Sequence, residues 1–176
     1  MQKYLILFVL MLPQSLMALE LFGVTVNEIN RVQLREAIRN TGAEVVREAG
    51  DDNWYDVYNM SVNFKQSKYL FIAYDKTTAN FAFAEYHLPY DYLRSMLLRL
   101  KLKYGKPDIK YGSFESENRF LWLVDGINIE LTQDWDKSIT RLVYTQPATI
   151  VPLQQAYRQS ESANLSKLLQ VDGSYY

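Results

Sequence analysis

An α+β fold, an antiparallel sheet with two helices on one face, is what this sequence predicts. Three observations lead there. Two helical stretches, each closed by a glycine, are each followed by four strand-like runs. Asp125-Gly126 stands between two apolar runs, and that pair suits a type I′ hairpin turn because both central residues need positive φ. The chain is also rich in aromatics, with fourteen Tyr, eight Phe and three Trp. Such side chains favour a pleated, half-buried surface.

The elements follow in order. Leu21–Val26 reads as a short first strand. Asn30 is a good N-cap, since its side chain can accept from an orphan backbone N–H. Leu34, Ala37, Ile38 and Thr41 then recur at helical spacing, with Arg31, Arg35, Glu36 and Arg39 outside, and Gly42 stops the helix. Strand-like runs follow at Glu44–Glu48, Trp54–Met60, Lys68–Tyr74 and Phe81–His87. The order then repeats. Pro89 opens a second helix with Leu93, Met96, Leu97, Leu100 and Tyr104 on one face, which ends at Gly105 with Pro107 beyond it. Runs at Ile109–Phe114, Arg119–Val124, Ile127–Thr132 and Ile139–Thr145 complete a possible duplicated helix-plus-four-strand unit. Pro147 and Pro152 bracket the exit from the sheet. Residues 149–176 are read as a peripheral C-terminal helix, centred on 153–170 with a thin apolar face, and a loose tail.

The first eighteen residues have a different job. Lys3 gives a positive start, Tyr4–Leu12 is an unbroken apolar run, and Pro13-Gln14-Ser15 breaks it ahead of Ala18. This order is that of a secretory signal peptide. The apolar run is about half of the roughly twenty residues that a membrane span needs. Cleavage is expected between Ala18 and Leu19, which leaves one domain over 19–148 and a periplasmic or secreted protein with no stable membrane insertion. Cysteine is absent, so the exported domain has no disulfide framework and no acceptor for a lipid after the signal.

Charge and composition narrow the function classes. With 48% apolar and 22% charged residues the chain is that of an ordinary folded domain. The formal charge of −1 becomes −2 without Lys3, eighteen cations against twenty anions. A nucleic-acid partner, which favours a strongly basic domain, is therefore not expected. No cofactor motif is present, and no glycine-rich loop leads into either helix to hold phosphate. His87 is the single histidine. One His and no Cys cannot furnish a transition-metal set, and a Ser-His-Asp arrangement would have to recruit distant partners. The acidic turns Asp51-Asp52-Asn53 and Asp134-Trp135-Asp136 lack the length and alternation of a calcium loop.

Two surfaces and one carboxylate pair remain. Arg94, Arg99, Lys101, Lys103, Lys106 and Lys110 cluster at the C-terminal half of the second helix, where the helix dipole favours cations. Their plain reading is a solvated basic face; the alternative is an acidic partner, an anionic headgroup or a charged glycan. Trp135, between two acids in the last hairpin, either folds back onto the core or waits for a partner as an exposed anchor. Glu85 and Glu130 lie in strand-like runs and could share one side of a sheet, as a glycan hydrolase would require of its two acids.

The segment Lys103-Tyr104-Gly105-Lys106-Pro107, followed by a strand pair carrying Trp122 and Asp125-Gly126, resembles small exported α+β modules of bacterial envelopes. Outer-membrane assembly lipoproteins of the SmpA type and β-lactamase inhibitory proteins are examples. The likeness spans residues 89–145, and 21–88 by analogy, although this chain lacks their lipidated cysteine and disulfides. It implies a non-catalytic binding scaffold acting through a protein partner in the envelope. The opposing class is the exported carboxylate hydrolase. An enzyme should show converging acids in a deep pocket, a binding module a broad aromatic face.

Overall fold

The computed structural model describes residues 18–48, 55–61, 69–75, 78–113, 117–151 and 153. The expected signal sequence over 1–17, the turn expected at 51–53 and the tail beyond 153 lie outside these. Leu19, the first residue after the expected cleavage point, is fully buried in the hydrophobic core.

Where one strand was expected over Leu21–Val26, the chain forms a small hairpin of β1 (Glu20–Leu21) and β2 (Val24–Thr25), then a 3-10 turn over Val26–Glu28. Phe22 and Gly23 take φ values of 56° and 77°, the pattern of a two-residue turn. Helix α1 (Arg31–Asn40) starts as its sequence requires. The Asn30 side chain accepts from the Gln33 N–H at 3.1 Å, and Gln33 Oε1 accepts from the Asn30 N–H at 3.2 Å. This reciprocal box satisfies two groups that would otherwise be orphaned. Leu34 and Ile38 point into the core. On the same side Arg35 makes a bidentate pair with the fully buried Asp56 at 2.7 and 2.8 Å, which clamps the helix to the sheet.

Four strands follow, β3 (Glu44–Arg47), β4 (Tyr55–Asn59), β5 (Tyr69–Tyr74) and β6 (Phe81–Pro89). Pro89 does not open the second helix but closes β6. The Tyr90 carbonyl is held by Gln133 Nε2 at 2.8 Å and by the Thr140 hydroxyl at 2.9 Å. The chain therefore passes through a 3-10 turn (Tyr90–Tyr92) before α2 (Leu93–Tyr104). Strand β7 is only Asp108–Lys110, shorter than the run expected to Phe114. Then come β8 (Arg119–Val124), β9 (Ile127–Asp134) and β10 (Ile139–Thr145). Asp125 and Gly126 have φ of 51° and 75°, as the hairpin requires. The last helical turn starts at Pro147, a residue suited to the first helical position because its missing N–H is not needed there.

All eight long strands form one antiparallel sheet in the order β3-β4-β5-β6-β10-β9-β8-β7. Two four-stranded meanders, each preceded by its helix, thus meet along their last strands. The duplicated element order is real, and β6 paired with β10 is the seam. Leu34 and Ile38 of α1 and Leu100 of α2 share one apolar cluster with Leu70, Ile72, Ala84, Leu142, Ile129 and Leu131. Because side chains alternate across a strand, both helices lie on the same face of the sheet.

Candidate functional site

The other face is covered by neither helix. Its central row crosses every strand, Arg47–Val57–Phe71–Glu85–Val143–Glu130–Leu121–Asp108, each residue in register with the next. A neighbouring row carries Asn59, Tyr69, His87, Arg141 and Thr132, and on the other side lie Tyr55, Ala73, Phe83, Thr145, Asn128 and Leu123. The wet face of an antiparallel sheet normally carries polar residues. This one carries rings.

Phe71 is the hub of the first half. Its ring lies 4.7 Å from His87, 6.0 Å from Tyr55 and 6.3 Å from Tyr69, and the Arg47 guanidinium sits 4.5 Å over Tyr55. Tyr69 is exposed and Phe71 half-buried. In the second half Leu121 and Val143 are half-buried, and Leu123 is 71% exposed. Apolar area left in water is costly, and Tyr69 and Leu123 leave it there in each half of the face.

The seam strands place charge between these apolar halves. Arg141 on β10 donates to both Glu85 oxygens at 2.7 and 2.8 Å, and His87 Nε2 lies 2.7 Å from the same carboxylate. Burial alone would raise the Glu85 carboxyl; the hydrogen bonds from His87 and Arg141 override it and hold it down at about 2. Two strands away Arg119 makes a bidentate pair with Glu130 at 2.5 and 2.8 Å. Glu85 and Glu130 do share a face, each in register with Val143. Each carboxylate is engaged by a guanidinium, so neither offers the free carboxyl that a general acid needs.

Trp135 stands at one end of this face. It is 67% exposed at the tip of the β9–β10 turn, so the folded-back alternative is not the one adopted. Asp134 holds the turn by accepting from the Lys137 N–H at 3.1 Å. The basic residues Arg99, Lys101, Lys103 and Lys106 are exposed too, but on the helix side of the sheet. The structure therefore does not bring Trp135 and the basic face together. His87 lies mid-strand, because β6 runs two residues further than expected. Among the described residues no three of His, Asp and Glu gather as a metal-ion set, and no helix is long and apolar enough to cross a membrane.

Sequence reasoning missed Arg141, Arg119 and the Phe71 ring cluster. The alternation in Ile139-Thr-Arg-Leu-Val-Tyr-Thr145 places Arg141 on the face opposite Leu142 and Tyr144, but only the pairing of β10 with β6 reveals its partner.

No protein-family model and no curated protein matches the chain. Among solved structures it is similar to a DUF4309 family protein (YjgB) from Bacillus subtilis subsp. subtilis str. 168, at a TM-score of 0.46 and 16% identity. The likeness covers 73% of this chain and 86% of that one.

Proposed function

We propose that this protein is an exported, non-catalytic binding module that holds a protein partner against the open face of its sheet. The observation that carries the reading is the apolar and aromatic character of that face. Antiparallel sheets with one buried face present polar side chains to water, whereas here Tyr55, Tyr69, Phe71, Phe83, Leu121, Leu123 and Val143 occupy those positions. Rigid aromatics offer contact area at low entropic cost. Two guanidinium–carboxylate pairs within the face supply polar complementarity and register. Trp135 adds an exposed anchor at the rim. Export rests on the Lys3, Tyr4–Leu12 and Ala18 order, and the resemblance to envelope modules points the same way.

The hydrolase reading has less behind it. Its two carboxylates are each engaged by an arginine, and Glu85 stays ionised down to about pH 2.

Capture from an envelope extract by the tagged protein, with mass spectrometry, tests the proposal. A partner retained by the parent should be lost at least tenfold in Tyr69→Ala, Leu123→Ser and Trp135→Ala together, with the thermal midpoint nearly unchanged. Capture that survives all three substitutions removes the open face from the reading. Release of reducing sugar from envelope glycan, abolished by Glu85→Gln, would replace it with the hydrolase.

A further inference from the structure

Helix α2 carries a second surface, on the opposite side of the molecule. Leu93, Met96, Leu97, Leu100 and Tyr104 pack against the core. At about 100° of rotation per residue, the pole opposite them is occupied by Leu98 and Leu102, one turn apart. These two leucines are 60% and 81% exposed. Arg94 and Lys101 flank the stripe on one side, Arg99 and Lys103 on the other, and all four are exposed. Lys106, Lys110 and an exposed Tyr111 continue the surface beyond the helix.

The helix has no acidic residue, and among the described residues Arg94, Arg99, Lys101 and Lys103 form no ion pair. On α1 two of the three arginines are paired, Arg35 with Asp56 and Arg39 with Glu48. A dipole-stabilised helix end explains cations near Tyr104. It explains neither the bare leucines nor cations on both sides of them.

We infer that the outer face of α2 docks on an anionic phospholipid bilayer. An interfacial helix lies in the plane of the membrane with its apolar stripe at the acyl boundary and basic side chains reaching the headgroups. Long Arg and Lys stems suit that reach, because their methylenes stay with the lipid while the charges meet phosphate. A hydrophilic acidic protein would complement the cations but would leave Leu98 and Leu102 unused. The contact is peripheral, not spanning. It is independent of the partner proposed for the sheet, and it would turn the open face away from the membrane.

The absence of cysteine allows a site-specific test. The full chain is expressed, and soluble Leu102→Cys and Leu123→Cys variants are each labelled with a polarity-sensitive dye. Phosphatidylglycerol-containing vesicles should blue-shift the label at 102 and leave that at 123 unchanged, and pure phosphatidylcholine vesicles should shift neither. Partition should fall at least tenfold as salt rises from low to physiological strength. It should fall to a similar extent when Arg94, Arg99, Lys101 and Lys103 are changed to Gln. Leu98→Ser in the labelled background should weaken the shift at least fivefold, with the melting midpoint of the parent. No shift at 102, an equal shift at 123, or binding indifferent to Leu98→Ser would each overturn the inference; the last would assign the basic face to a hydrophilic acidic partner.

Discussion

Glu85 shows how one residue on this protein can be read from its neighbours. Its carboxyl is held at about 2 in the fold, against an ordinary value of 4.5. A depressed carboxyl contributes stability that is fully present above the unfolded pKa and is lost as pH falls through the folded one. The window is therefore pH 4.5 down to about 2, and the contribution above it is on the order of 3 kcal/mol. Melting points measured across that range should drop steeply for the parent. Glu85→Gln should be less stable at neutral pH and show a shallower acid limb; an unaltered limb would mean the pair contributes nothing. Asp56 is the stricter case, since it is fully buried, while its partner Arg35 also lies 3.9 Å from Glu48. Removing one member of a buried pair strands the other charge, so Asp56→Ala should cost about 3 to 5 kcal/mol in denaturant unfolding. A loss below about 1 kcal/mol would show that Arg35 finds water or Glu48 instead.

At the scale of elements, local chemistry made the boundaries legible wherever a single residue type decides the backbone. Asn30, Gly42, Gly105 and Asp125-Gly126 are such points, and each sits where the sequence places it. Gly126 has φ of 75° with open space around its Cβ position, so a side chain there is opposed by conformation, not by a clash. Gly126→Val should therefore destabilise by more than about 1 kcal/mol, and an unchanged urea midpoint would show that the turn re-forms in another type. The turn has a tertiary tie as well, because Asn27 Nδ2 donates to the Asp125 carbonyl at 2.8 Å and to its carboxylate at 2.9 Å. Trp122 plays the matching role at the helix stop, donating its indole N–H to the Gly105 carbonyl at 2.9 Å. The two misplaced starts have physical reasons. Phe22 takes a positive φ that nothing in its type announces, and the contacts holding the Tyr90 carbonyl come from residues more than forty positions away.

The whole molecule is a pair of half-sheets, and what joins them was the least legible part of the sequence. Trp135 could be placed in its turn with its exposure left open, and the cations of α2 could be named in advance because their place on the helix follows from local pattern. The Glu85–Arg141 pair could not, since it exists only once β6 and β10 are neighbours, and no short-range signal chooses that pairing over another. The seam is nevertheless well tied. Seven residues of β10 are in register with β6, Tyr86 meets Tyr144 edge-on at 6.2 Å, and Gln146 Nε2 reaches Asn27 at 3.2 Å. Beneath it the core does not divide, because one apolar cluster runs from Leu34 and Ile72 in the first half to Ile129 and Leu131 in the second. A chain with one core should lose both halves together, as small single domains do. With Trp54 replaced by Phe, buried Trp122 reports on the second half, whereas exposed Trp135 should change little on unfolding. The fluorescence transition in urea should thus coincide with loss of the far-ultraviolet circular dichroism of the whole sheet. A fluorescence midpoint displaced from the dichroism midpoint would show that the repeats unfold separately, and that the seam is a contact between two domains and not the middle of one.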